Sequence, residues 1–178
     1  MRKIILALAV SLDGYIAREN GAVNWLKTED LTEAAGESSK FFKSVDTIFL
    51  GRKTYEKGLE MTGGDMKMYG DVKLYVFTRT TQTSEHENLQ FVSENAEEFV
   101  KDLKRQSGKN IWLMGGGDLA KTFFEENLID EIILGIQPTI LGFGIPLFLP
   151  RDKQIDLELT NVKTRNSGSV QISYRVKG

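Results

Sequence analysis

The sequence predicts an α/β fold built on a largely parallel sheet, and three observations carry that reading. Short apolar runs recur at 4–10, 46–51, 73–78, 111–115, 131–137 and 171–176. Between them, 32–44, 95–106 and 118–128 carry helical spacing, as in Phe99 with Leu103 or Leu119 with Phe123 and Leu128. After residue 155 the pattern becomes polar alternation, with Leu157 and Leu159 and then Val170, Ile172 and Tyr174 on one side. Strands alternating with helices form a parallel sheet covered on both faces, and the terminal alternation adds an antiparallel hairpin at its edge.

The first run admits two readings. Arg2 and Lys3 before the apolar stretch 4–10 look like the start of a secretion signal. Such a signal needs an apolar segment of roughly 7 to 15 residues followed by a small-x-small cleavage site. Here Ala7, Leu8 and Ala9 lie inside the run, and Asp13 interrupts its continuation toward Tyr15 and Ile16. The stretch therefore reads as a strand buried on both faces, with Asp13-Gly14 starting a turn.

A chain of 178 residues is expected to form one domain, spanning 1–178. Its 23 basic and 25 acidic residues are interspersed, which argues against a broad basic surface for nucleic acid or an anionic membrane. The absence of cysteine removes disulfides, thiolate nucleophiles and zinc–cysteine sites, and accords with a cytoplasmic location. The single histidine, His86, sits in the polar stretch TTQTSEHEN and reads as solvated. Neither Ser-His-Asp chemistry nor a histidine-based metal site is expected, and no apolar run is long enough to span a membrane.

Two strand ends carry residues suited to a ligand. In IFLGRKTYEKG (48–58), a strand ends in Gly51 and a helix start comes next, with Arg52, Lys53 and Thr54. Cations, a hydroxyl and unpaired helix-start amides are the chemistry that holds phosphate; the plainer alternative makes Thr54 a helix cap in a solvated loop. In IWLMGGGDLAKTFFEENL (111–128), three glycines separate a strand from a helix, so backbone amides can approach a pyrophosphate closely, or Asp118 can simply cap the helix. A Rossmann site would require an acidic residue at a strand end roughly 20 residues further on, and there is none at that distance. KLYVFTRTTQ adds Thr78, Arg79 and Thr80 beyond a third strand. Three phosphate-competent ends on one sheet edge point to a dinucleotide, and the extra cations to its 2′-phosphorylated form.

The order of these motifs resembles the dihydrofolate reductase-like superfamily, in particular the reductase domain of riboflavin biosynthesis and its stand-alone bacterial relatives. SLDGYIA (11–17), GRKTYE (51–56), MGGGDLAKTF (114–123) and QPTILGFGIPLF (137–148) match that branch in sequence over nearly the whole chain. The resemblance implies a three-layer fold with a mixed, mostly parallel sheet of about eight strands, helices on both faces, and NADPH as cofactor. It implies that Gly51, Arg52, Lys53 and Thr54 hold the adenosine and bridging phosphates and that Thr78 and Arg79 lie near the 2′-phosphate. Gly115, Gly116 and Gly117, with Met114, Asp118 and Leu119 around them, would face the pyrophosphate, and Ala9 and Ile16 would border the nicotinamide. A dihydrofolate reductase carries a carboxylate five residues beyond an active-site tryptophan; Trp25 and Asp30 repeat that spacing, which makes Asp30 the candidate for orienting substrate or relaying a proton. A helix start explains Asp30 equally, and Asp13 is the rival carboxylate, with a turn as its alternative.

Gly135 and Ile136 stand where dihydrofolate reductases place a threonine, and no arginine precedes KLYVFT where they bind the folate glutamate. Folate is therefore not the expected substrate. The expected activity is hydride transfer from NADPH to a small heteroaromatic or conjugated substrate, pterin- or pyrimidine-like, with a nucleotide- or flavin-binding protein without such turnover as the alternative. The apolar segment LGFGIPLFLP (141–150) and the habit of the riboflavin-type relatives lead to the expectation of a homodimer; Phe143 and Phe148 closing the monomer's own core is the competing reading.

Overall fold

The computed structural model describes residues 1–26, 40–65, 70–80, 82–84 and 86–177. Ten strands and three helices are bounded within them: β1 (Ile4–Ser11), β2 (Tyr15–Ala17), β3 (Val45–Gly51), α1 (Arg52–Thr62), β4 (Lys73–Phe77), β5 (Leu89–Val92), α2 (Ala96–Arg105), β6 (Asn110–Gly115), α3 (Gly117–Glu125), β7 (Glu131–Gln137), β8 (Ile145–Pro146), β9 (Leu157–Thr164) and β10 (Val170–Val176). Residues 40–44 are also helical.

Eight strands form one sheet in the order β5-β4-β3-β6-β1-β7-β10-β9. The first six run parallel, while β10 pairs antiparallel with β7 and β9 antiparallel with β10. The apolar run after Arg2 and Lys3 is therefore a strand, held between β6 and β7 in the middle of the sheet. Its side chains serve both faces, as a continuous apolar run requires. Ile4, Leu6 and Val10 join Phe49, Leu113, Ile132 and the helices α2 and α3 in the larger core. Ile48, Leu50 and Val76 face the other way, against Tyr55 of α1. Within the described residues no helix is long and apolar enough to cross a membrane.

The charged start of the chain has a structural use at the end of the sheet where β1 begins. Arg2 is 7% exposed; its Nε donates to the Lys109 carbonyl at 2.7 Å, and its Nη2 donates to Thr47 Oγ1 at 2.7 Å and pairs with the Asp46 carboxylate. Asp46 also accepts from the Lys109 N–H at 2.8 Å and the Thr47 hydroxyl at 2.9 Å. Burial pushes the Asp46 carboxyl up, but those hydrogen bonds and the Arg2 charge outweigh it and hold the group below its ordinary value. A carboxyl lowered by folding adds stability above its unfolded value of about 3.9, and that stability is lost as pH falls through the folded value. Urea denaturation at pH 6 and pH 3 should therefore show a loss of stability on acidification that is smaller in Asp46→Asn; an equal loss in the two proteins would refute this account.

Candidate active site

The six parallel strands put their carboxyl ends on one edge of the sheet. The register aligns Gly51 of β3 with Phe77 of β4, immediately before Thr78, and Leu50 with Gly115 of β6. Gly51, Thr78 and Gly115 are thus neighbours along one rim. The chain leaves β1 toward β3, across β6, whereas it leaves β6 through α3 toward β7, across β1, so the connections from these adjacent strands run in opposite directions along the sheet. Such a switch point opens a crevice at the carboxyl ends.

A gap in the ladder marks that crevice. β1 pairs with β6 only from Ile4↔Ile111 to Leu6↔Leu113, while its pairing with β7 continues to Ser11↔Gln137. The Ala7 carbonyl, just beyond the last β1–β6 pair, accepts instead from Trp112 Nε1 at 2.7 Å. From there β1 and β6 part, with Ala9 on one side of the gap and Gly115 on the other.

The glycine turn sits over this gap. Gly115 has φ 114, a conformation suited to glycine, and the Gly115–Gly116 peptide is cis. A Cβ on Gly116 would lie 3.3 Å from Thr54 Oγ1 and 3.6 Å from Ile16 Cδ1. One on Gly117 would run into the Pro146 carbonyl oxygen, and one on Gly51 would lie 3.6 Å from the Gly116 nitrogen and 3.9 Å from Leu119 Cβ. Segments 11–17, 51–56, 114–123 and 137–148, scattered along the sequence, therefore meet around Gly116.

Neither helix at this rim begins with a side-chain cap. Gly51 occupies the N-cap of α1 and Gly116 that of α3, so the cap readings of Thr54 and Asp118 are replaced: each lies inside the first turn of its helix. The reason is local, since each strand ends in a glycine that accepts the extended cap conformation, leaving the hydroxyl and carboxylate too far along the chain. The first turn of α1 contains no acid but carries Arg52 and Lys53, an arrangement that the helix dipole opposes unless an anion is present. Arg52 pairs with Glu56 at 2.6 Å on the surface, an exposed pair worth at most about 1 kcal/mol. Lys53 and Arg79 are exposed and make no ion pair among the described residues. The Thr78 hydroxyl accepts from the Thr80 N–H at 3.2 Å, which orders the loop that bears Arg79. Met114 packs with the α1-side core and Leu119 with the other, so they support the turn from opposite faces. Asp118 is exposed.

Asp13 is engaged as an acceptor. Ser11 Oγ donates to it at 2.7 Å, the Gly142 N–H at 2.7 Å and the Leu141 N–H at 3.1 Å. The Ser11 hydroxyl and these amides hold its pKa below the ordinary value against the opposing effect of burial. Together with the β2–β8 pairing and the Leu147 N–H on the Gly14 carbonyl, this joins segment 11–17 to segment 139–147. Ser11, whose Oγ also accepts from the Tyr15 N–H at 2.9 Å, emerges only in the structure, as does Trp112. The signal for Ser11 was a polar residue ending an otherwise apolar strand. Trp25 is buried, and Asp30 lies outside the described residues. His86 is exposed in the turn before β5.

The chain is similar to known proteins over nearly its whole length. Residues 2–171 match the model of the RibD C-terminal domain. The chain is 40% identical over 175 residues, 97% of each chain, to the uncharacterized protein YwjB of Bacillus subtilis. Its fold is similar to the crystal structure of a putative riboflavin biosynthesis protein from Shewanella sp. PV-4, with a TM-score of 0.80, 24% identity and full coverage of both chains. It is also similar to dihydrofolate reductase from Enterococcus faecalis complexed with NADP(H), with a TM-score of 0.68 and 16% identity over 99% of this chain and 97% of that one. With a dihydrofolate reductase-like α/β fold and a domain match over nearly its whole length, this chain belongs to the RibD C-terminal domain family.

Proposed function

We propose that the protein is an NADPH-dependent reductase that delivers hydride to a small heteroaromatic or conjugated substrate. The observation that carries this reading is the meeting of the four motif segments around Gly116, over the gap between β1 and β6. The glycine turn leaves backbone amides uncovered by side chains for a pyrophosphate, and where the two strands part a ring can enter. Gly51, Arg52, Lys53 and Thr54 then hold the bridging phosphates, Thr78 and Arg79 the 2′-phosphate, and Gly115, Gly116 and Gly117 the pyrophosphate, with Ala9 and Ile16 beside the ring. When bound, the dihydronicotinamide supplies the hydride, and the protein's share is to fix the two rings face to face and exclude water. Asp13 positions the 11–17 and 139–147 segments, and Asp30 is the carboxylate we assign to proton delivery. We further assign a homodimer to the 139–148 surface. Ile140 and Phe143 are 71% and 67% exposed there and Phe148 is 42% exposed, whereas Leu147 is the residue of this segment that enters the core.

Thermal-shift titration with NADPH, NADH and flavins tests the cofactor. NADPH should raise the melting temperature more than NADH does, and Arg79→Ala should cut the preference by roughly 10- to 100-fold in affinity, as expected for a charged hydrogen bond. Equal shifts by the two nucleotides would remove the 2′-phosphate site, and stabilisation by flavin alone would replace the reading altogether.

A further inference from the structure

Two buried side-chain polar atoms in the described residues have no hydrogen-bond partner, Trp25 Nε1 and Gln137 Oε1. Gln137 ends β7 and is 4% exposed. Strand alternation puts it on the same side of the sheet as Gly135, and its register partner Ser11 on the same side as Ala9, which is paired with Gly135. Ala9 and Gly135 make that patch of sheet nearly flat, and it adjoins the gap between β1 and β6.

The protein does not serve this amide. Ser11, directly across from it, has its hydroxyl committed to Asp13 and to the Tyr15 N–H. On the other side, Ser169 stands one residue before Val170, the partner of Ile136, and its Oγ accepts from Ser167 Oγ at 3.2 Å. Among the described residues the Gln137 side chain makes no hydrogen bond of its own. A methionine would fill the same volume without burying an unpaired amide. A buried amide oxygen left unserved at the rim of the cleft is placed to receive a polar partner from outside the chain.

We propose that Gln137 reads the ligand in the cleft, its side-chain amide pairing with an adjacent C=O and N–H on the molecule lying over Ala9 and Gly135. An amide offers one acceptor and a donor side by side, so its complement is another amide edge. Two molecules carry one: a substrate containing a ring lactam, and a nicotinamide with its carboxamide. This inference rests on the reductase reading.

The test compares wild type with Gln137→Met. Melting temperature is measured without ligand. Affinities are measured for NADPH, for the 3-acetylpyridine analogue of NADP, which lacks the amide nitrogen, and for uracil and pterin against their N-methylated forms. We expect the variant to melt about 2–4 °C higher, as relief of one buried unpaired amide implies. We also expect it to lose at least tenfold in affinity for one amide-bearing ligand. Loss confined to NADPH, with the acetyl analogue unaffected, assigns the carboxamide; loss confined to the free lactams assigns the substrate. A lower melting temperature, or affinities all within twofold of wild type, overturns the proposal. Failure of wild type to bind NADPH would instead defeat the reductase reading, and the melting comparison with the lactam affinities would still decide Gln137.

Discussion

Gly117→Ala is expected to lower the melting temperature by roughly 6–12 °C and to abolish measurable dinucleotide binding, as about 3 kcal/mol of backbone overlap implies in a chain of this size. The added Cβ would run into the carbonyl oxygen of Pro146, with the Leu147 carbonyl oxygen 3.5 Å away. Both belong to the main chain, so no rotamer relieves the contact. Either the start of α3 moves away from β8, or β8 leaves β2, and each movement displaces the glycine turn. Gly135→Ala is the control for stability alone, because its Cβ would meet only the Ala9 Cα, at an ordinary 3.9 Å, while standing in the floor of the proposed cleft. Scanning calorimetry of both variants, with NADPH titration of Gly117→Ala against wild type, checks the prediction. A Gly117→Ala protein that melts within about 2 °C of wild type would show that the turn is not clamped.

The second large effect lies at the opposite end of the sheet. Arg2→Ala should cost about 3 kcal/mol, near the lower limit for breaking a buried pair, because the Asp46 side chain retains 40% exposure. The loss arises mostly from what remains: the Thr47 hydroxyl, the Lys109 carbonyl and the Asp46 carboxylate each lose a donor inside a crowded corner where Gly108 already closes on the Arg2 guanidinium. Arg2→Lys should recover only part of it, since one ammonium cannot reach all three acceptors as a fork does. Urea denaturation of the three proteins decides the matter, and a loss under about 1 kcal/mol in Arg2→Ala would mean that the corner is solvated rather than tied.

Much of this architecture was legible in the residues, because burial on both faces leaves a continuous apolar run and an amphipathic helix leaves a period. β1, β3, β4, β6, β7 and β10 correspond to the apolar runs, and α2 and α3 to the helical spacing. The elements that escaped are those whose existence depends on a distant partner. β2 and β8 are three and two residues long and form only because segments 11–17 and 139–147 meet. β5 spans four residues, with Gln90 exposed, too short to show a pattern. The helix over 32–44 can be traced only at 40–44. Of the candidate site, the strand-end glycines and cations were visible as chemistry, whereas the committed hydroxyl of Ser11, the indole of Trp112 on a strand carbonyl and the unserved amide of Gln137 depend on register. Arg2 inverted its apparent meaning, since a charge beside an apolar run resembles a targeting signal until Asp46 and Thr47 are brought against it.

The place of β1 in the sheet governs how the chain can be made. Its two ladder neighbours, β6 and β7, are among the later strands, beginning at Asn110 and Glu131. As the polypeptide emerges from the ribosome, the apolar stretch from Ile4 to Ser11 must wait until residue 137 has been synthesised before both of its edges can be covered. Such late closure slows folding and leaves a sticky segment available to chaperones or to neighbouring nascent chains. Expression yield of this protein should accordingly be sensitive to how the stretch from Ile4 to Ser11 is kept from association before β7 is made.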